Sequence, residues 1–114
     1  MTDQDSTALP LWPTIDELFS RLEATQTAQP GREALLLRIL KLSEEAGEVA
    51  EAVIGATGQN PRKGVTHTWD DVQAELCGVV ITVLVALRSL TPEAGDVFER
   101  HLKGARERPL KPSV

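Results

Sequence analysis

Tyrosine is absent from the 114 residues, and aromatic residues make up 4% of the chain. A core built on stacked rings is therefore excluded; Leu, Val, Ile and Ala must fill it, which suits packed helices. Cysteine occurs once, as Cys77, which excludes an internal disulfide and any multi-cysteine zinc site. A lone cysteine fits a reducing cytoplasm, where Cys77 is expected in the core or at an interface, with nothing nearby to activate a thiolate. The two histidines are His67 and His101, and neither stands three residues after a Glu. That excludes the Glu-x-x-His pairs of di-iron bundles. A basic excess is also missing: 12 Lys and Arg face 17 Asp and Glu, for a net charge of −5. The electrostatic footprint of a nucleic-acid-binding domain is not there. The start, "MTDQDSTALPLWP", has acids and no basic segment, so no secretory signal is expected. The run "VVITVLVAL" (Val79 to Leu87) is nine residues long, against the roughly twenty of a membrane span, and reads as a buried helix segment.

What is present reads as one helical domain. Residues 1–13 are polar and proline-punctuated, and read as a flexible arm. Thr14 with Glu17 forms a capping-box pattern, and Ile15, Leu18, Phe19 and Leu22 recur at helical spacing, predicting a first helix over about 15–25. A long second helix starts near Arg32. Its apolar residues Leu35, Ile39, Leu42, Ala46, Val49 and Val53 form a heptad-like seam, and the glycines and Pro61 of "GATGQNPRKG" end it. Thr68 is the expected N-cap of a third helix, with Asp70 and Asp71 in its first turn. That helix has a seam of Val72, Leu76, Val79, Val83, Leu87 and Leu90 and a second apolar face of Cys77, Ile81 and Val85. A helix apolar nearly all round is buried on all sides, which a small bundle achieves most economically at a subunit interface. Thr91 and Pro92 open a fourth helix. The expected domain spans residues 14–107, with a flexible tail over 108–114. No strand or internal repeat is expected; the fold class is an all-α, four-helix bundle.

"KLSEEAGEVAEA", Lys41 to Ala52, concentrates Glu44, Glu45, Glu48 and Glu51 beside apolar positions. At 100° per residue, Glu45 and Glu48 fall on one flank of the second helix's seam, with Lys41 and Glu44 on or near the same stripe. Asp71, Glu75, Gly78 and Thr82 share a flank of the third helix. Antiparallel packing lets Glu45, Glu48 and Glu75 converge. Unpaired carboxylates at such a place repel one another and resist desolvation; a hard divalent cation removes both problems, and an oxygen-only set suits Mg²⁺. Ordinary solvation of a Glu-rich helix face is the alternative. Gly47 inside the helix costs about 1 kcal/mol relative to Ala and points to close packing or a functional approach. Trp12 and Trp69 read as packing anchors near helix starts, with base stacking as the functional alternative for Trp69. His67 reads as a loop residue.

"EEAGEVAEA", followed some thirty residues later by "AELCGVVI", resembles the MazG-like branch of the all-α nucleoside triphosphate pyrophosphohydrolases. The similarity covers roughly residues 32–90. The family pattern is Glu-Glu-x-x-Glu on one helix and Glu-x-x-Asp on the next. Its first half is intact as Glu44, Glu45 and Glu48; in the second, Glu75 is present but Gly78 stands at the Asp position. The resemblance implies Mg²⁺, with Mn²⁺ as a substitute, held by Glu45, Glu48 and Glu75. It implies Glu44 orienting or deprotonating the attacking water, and cleavage of a nucleoside triphosphate to monophosphate and pyrophosphate by a homodimer or homotetramer. Lys41, Arg62, Lys63 and Trp69 are the expected substrate-binding residues. Gly78 removes one ligand, and Asp71 lies two turns away and cannot take its place. Weak metal binding with slow turnover, nucleotide binding without cleavage, or lost activity all follow from that change. A non-catalytic nucleotide-binding module and a helical dimerisation or interaction module are the rival classes.

Overall fold

The computed structural model describes residues 8–25 and 31–110. Four helices follow one another: α1 (Leu11–Thr25), α2 (Gly31–Thr57), α3 (Trp69–Leu90) and α4 (Ala94–Glu107). No strand occurs among the described residues, so the chain is all-α as the periodicity predicts.

The helix starts follow local chemistry, with two corrections. α1 begins at Leu11, so residues 11–13 belong to the helix and not to the arm. Thr14 is not its cap: its backbone N–H and its hydroxyl both donate to the Pro10 carbonyl, at 3.1 and 2.6 Å. Pro13 sits in the first turn, where its missing N–H costs no helical hydrogen bond, so the helix extends upstream of the Thr14–Glu17 pattern. Residues 1–7 and 111–114 lie outside the described residues. α3 starts as expected, with a reciprocal capping box between Thr68 and Asp71. Thr91 and Pro92 do not open α4 as expected: Thr91 ends α3 as its C-cap, its hydroxyl accepts from the Glu93 N–H at 3.1 Å, and α4 begins at Ala94 after Glu93.

α2 and α3 form an antiparallel hairpin. At its closed end the Thr66 N–H donates to the Gly55 carbonyl at 3.0 Å; at its open end Arg38 Nη1 donates to Ser89 Oγ at 2.9 Å. α2 stops at Gly58, whose φ of 67° supplies the left-handed residue of a helix end, and the Gln59 N–H returns to the Ile54 carbonyl. The glycine that packs most tightly is Gly55: a Cβ there would lie 2.1 Å from His67 Nδ1 and 2.5 Å from Thr66 Oγ1. Gly47 does not play that part, because it is exposed and a Cβ on it would meet nothing within 4 Å.

α1 crosses the C-terminal half of α3. Ile15, Leu84 and Val85 form the core there, with Trp12, Leu18, Phe19 and Leu22 packed around them. Phe19 lies between two guanidinium groups, Arg38 at 5.6 Å and Arg88 at 4.5 Å from its centroid, and Arg88 Nε donates to Asp16 at 2.7 Å. Trp12 anchors α4, with its ring against Gly95 and 6.2 Å from that of Phe98.

The buried faces differ from the expected seams. On α2 the deepest residues are Ala34, Arg38, Ala52 and Gly55, while Ile39 and Ala46 of the seam are exposed. On α3, Leu76, Val83 and Leu90 of the seam are exposed, as are Cys77 and Ile81 of the second face. Val72 of the seam and Val85 of the second face are buried as expected, Val79 and Leu87 of the seam are half-buried, and Leu84 and Ala86, in neither face, are buried as well. The stripe facing α2 is Glu75, Gly78, Val79, Thr82, Ala86 and Ser89, each buried or half-buried. Small residues allow the two backbones to approach, and the bulky apolar residues turn outward.

Two outer stripes result. α3 exposes Trp69, Leu76, Val80, Val83 and Leu90; α2 exposes Leu36, Leu40 and Ile54. A core with four alanines among its eight buried hydrophobic residues leaves the apolar surface of a single copy uncovered. The radius of gyration, 17.9 Å, exceeds the roughly 13 Å of a compact chain of this length. α3 has the length and composition of a membrane span, although the nine-residue run within it falls short of one. It packs along α2, however, which carries Glu44, Glu45, Glu48 and Glu51.

Two outcomes test this fold. Gly55→Ala should lower stability by about 1–3 kcal/mol through overpacking, read in urea melts. The carboxyl of Asp71 is held below its ordinary value of 3.8 by the Thr68 backbone N–H first and the Thr68 hydroxyl second. A depressed carboxylate contributes stability that is fully present above its unfolded pKa and is lost as pH falls through its folded one. The stability gap between wild type and Asp71→Asn should therefore be constant near neutral pH and shrink below about pH 4.

Candidate functional site

The hairpin interior carries the expected chemistry. With Arg38 opposite Ser89 and Gly55 opposite His67, equal helical rises lay residues 74–82 of α3 opposite Glu45 and Glu48. That stretch holds Glu75, Gly78 and Thr82. Glu45 is half-buried, and its Oε1 is shielded from solvent with no hydrogen-bond partner. Glu75 is half-buried on the facing helix; Glu44 and Glu48 are exposed at the solvent side. Among the described residues no three acidic, histidine or cysteine side chains are gathered as metal ligands, so the single copy does not bring Glu45, Glu48 and Glu75 together as expected: Glu45 and Glu75 are half-buried and Glu48 is exposed.

Gly78 is partly buried, and a Cβ there would meet nothing within 4 Å. The space for an aspartate is present although the aspartate is not.

A cleft of about 400 Å³ opens one turn from Glu45. Leu18 and Leu22 of α1, Leu37 of α2 and Ile81 and Val85 of α3 make apolar walls, with Arg38, Lys41 and Thr82 as the polar groups. Arg38 is 8% exposed; Nη2 donates to Glu23 at 2.5 Å and Nη1 to Ser89. Lys41 is exposed at the rim with no ion pair. A cavity of this size, mostly apolar with few polar groups, has the build of a small-molecule site. Arg38 went unrecognised in the sequence. Its one signal is a charge inside "LLLRIL", at a position that helical spacing turns inward.

The other expected substrate groups lie at the closed end of the hairpin, two turns of α2 beyond Glu48. Arg62 and Lys63 are exposed on the loop, where Asn60 Oδ1 accepts from the Arg62 N–H at 3.1 Å. Lys63 lines a second cavity, of about 300 Å³, with Glu51, Ile54 and His67. Trp69 is 56% exposed and so is no packing anchor within this chain. Comparison with protein-family models, curated proteins and solved structures gives no match.

A buried carboxylate oxygen without a partner costs about 1–3 kcal/mol. Glu45→Leu should therefore raise the melting temperature in protein stripped of divalent cations. An unchanged or lower value would mean that Glu45 is satisfied in solution.

Proposed function

We propose that this chain is a Mg²⁺-dependent nucleoside triphosphate pyrophosphohydrolase of MazG-like type, slowed by Gly78, that works in the cytoplasm as a homo-oligomer. The observation that carries the reading is the partnerless oxygen of Glu45, one turn from a nucleoside-sized cleft. The donor set fits the metal: carboxylate oxygens only, one of them already desolvated and lacking a hydrogen bond. Glu45, Glu48 and Glu75 would hold Mg²⁺, or Mn²⁺ in its place. When bound, the ion supplies charge neutralisation for the phosphates, the main requirement of this chemistry.

The remaining roles fall to the chain's own groups. The cleft takes base and sugar between apolar walls, and Lys41 at its rim meets the first phosphates. Glu44, exposed on the next turn, orients the water and accepts its proton as the bond between the α- and β-phosphates breaks. Pyrophosphate leaves, and Arg62 and Lys63 offer positive charge at the loop end. Trp69 belongs to the outer stripe of α3 and serves assembly; the cleft lies at the opposite end of the hairpin, which removes Trp69 from base stacking there. That stripe, Trp69, Leu76, Val80, Val83 and Leu90, is exposed at heptad-like spacing, and a second copy buries it.

A second reading, a non-catalytic helical interaction module, draws on the ungathered carboxylates and the same outer stripes. Metal and substrate experiments separate the two. Mg²⁺ titration by calorimetry, with and without a non-hydrolysable triphosphate, should show binding in wild type and none in Glu48→Gln. Gly78→Asp should bind Mg²⁺ more tightly and release pyrophosphate faster across a panel of nucleoside triphosphates. Failure of both gains assigns the chain to the interaction module.

Self-association has its own test. Val80→Asp should dissociate the oligomer in light scattering while leaving the circular dichroism helical. A wild type that stays monomeric at high concentration removes the assembly part of the proposal.

A further inference from the structure

We infer that the C-terminal half of α4 docks in trans along the outer groove of α2 in a second copy. The inference rests on the self-association proposed above and adds the element that completes it. At 100° per residue, Ala94, Val97, Phe98, His101, Leu102 and Ala105 share one side of α4. The stripe begins covered: Ala94 is fully buried and Gly95 lies against Trp12. From Phe98 onward every residue to Leu110 is exposed, Leu102 at 52%. The same apolar face thus continues past the body that holds its first turn. Arg100 and Arg106 flank it on opposite sides. Neither they nor Lys103 and Arg108 form an ion pair within the described residues.

The complementary surface is on this chain. Leu36, Leu40, Ser43, Gly47, Ala50 and Ile54 are all exposed and follow at steps of 4, 3, 4, 3 and 4, which is the seam of a helix that packs on another helix. Its middle is small, and a Cβ at Gly47 would meet nothing within 4 Å. Phe98 and Leu102 supply the bulk that this groove lacks. Glu44 and Glu51 line one edge of the groove and have no ion pair among the described residues. A bulky stripe with cations at its edges therefore meets a shallow stripe with anions at its edge. In cis the two do not meet, because α4 is held by α1 and α3. Two copies related by a twofold axis make the contact twice.

An anionic membrane is the other surface that a basic amphipathic helix fits. The exposed half carries Arg100, Lys103, Arg106 and Arg108 against Glu99 and Glu107, a net of +2 with His101 neutral. The interspersed acids reward a lipid surface little, whereas α2 offers both the acids and the groove.

The test uses the full chain in a Cys77→Ser background. Chains carrying Gly47→Cys and Leu102→Cys, mixed under mild oxidation, should give a cross-linked dimer in excess of either alone. By sedimentation equilibrium, Leu102→Asp should weaken self-association at least tenfold, with circular dichroism unchanged because Leu102 is 52% exposed and lies outside the core cluster. Arg106→Glu should also weaken it, more at low salt than at high, and adding Glu51→Arg should restore part of the loss. A wild type that self-associates with the same affinity as Leu102→Asp, and without the 47–102 cross-link, overturns the α4 contact and leaves assembly through α3 standing. A monomeric wild type overturns both. Binding of α4 to vesicles rich in anionic lipid, lost in Leu102→Asp while self-association is not, assigns the helix to a membrane surface instead.

Discussion

Arg38 is the buried charge around which three helices are arranged. A guanidinium removed from water needs its donors satisfied and its charge matched. The requirement is met from two directions, by Ser89 on α3 and Glu23 on α1, with the ring of Phe19 over its face. None of these partners is near Arg38 in sequence except through the fold. Placing Arg38 inward therefore fixes the rotation of α2, the height of α3 along it and the crossing of α1. Glu23 is half-exposed, so the ion pair itself is worth little by the standards of surface pairs; the constraint lies in the cost of any arrangement that leaves the guanidinium buried and unmatched.

That rotation has a consequence for everything one turn further along. With Arg38 inward, Lys41 reaches the cleft rim and Glu45 is turned half-inward with one oxygen shielded, while Leu36, Ile39 and Leu40 are carried outside. The hairpin thus holds its polar and small residues within and its large apolar residues without. A soluble single copy built this way would expose too much apolar surface, since patches beyond a few hundred square ångströms mark binding faces. A polar interior and an apolar exterior thus arise from the same rotation of α2.

This explains which parts were legible in the sequence. The four helices, the Thr68 cap and the loop at "GATGQNPRKG" follow from propensity, capping chemistry and glycine, all of which act locally. The stripe of Glu75, Gly78 and Thr82 was legible as well, because helical spacing alone puts these residues on one side. The side that faces inward was not legible. The seam Leu35–Ile39–Leu42–Ala46–Val49–Val53 and the observed face centred on Arg38, Glu45 and Ala52 are neighbouring sectors of one helix. Hydrophobic periodicity favours the former because it values apolar residues alone. The observed face keeps four seam residues, Leu35, Leu42, Val49 and Val53, half-buried and turns Ile39 and Ala46 out; the rotation follows because Arg38 finds Glu23, Phe19 and Ser89, contacts of which those with Glu23 and Phe19 arise only once α1 has docked. Gly47 misled for a different reason: it is exposed, and a Cβ on it would meet nothing within 4 Å, so its place in the helix reflects no close approach within the described residues. Gly55, which does make such an approach, was masked by the helix end beside it.

Gly78 then takes on a different meaning. A glycine in mid-helix is unfavourable by about 1 kcal/mol relative to Ala, and neither steric crowding nor a left-handed backbone at Gly78 requires it. Packing therefore does not explain it. What the position does adjoin is Glu75, three residues before it on the same half-buried stripe of α3. Without a cation, a fourth carboxylate beside a carboxylate oxygen already deprived of water and partner would add repulsion in a site of low dielectric. On the function proposed above, glycine would relieve that electrostatic load at the expense of one ligand. If the ion is bound, the balance reverses, since each added carboxylate then gains more from the cation than it loses to its neighbours. The residue at position 78 is thus read most directly as a choice between the stability of the empty site and the affinity of the filled one.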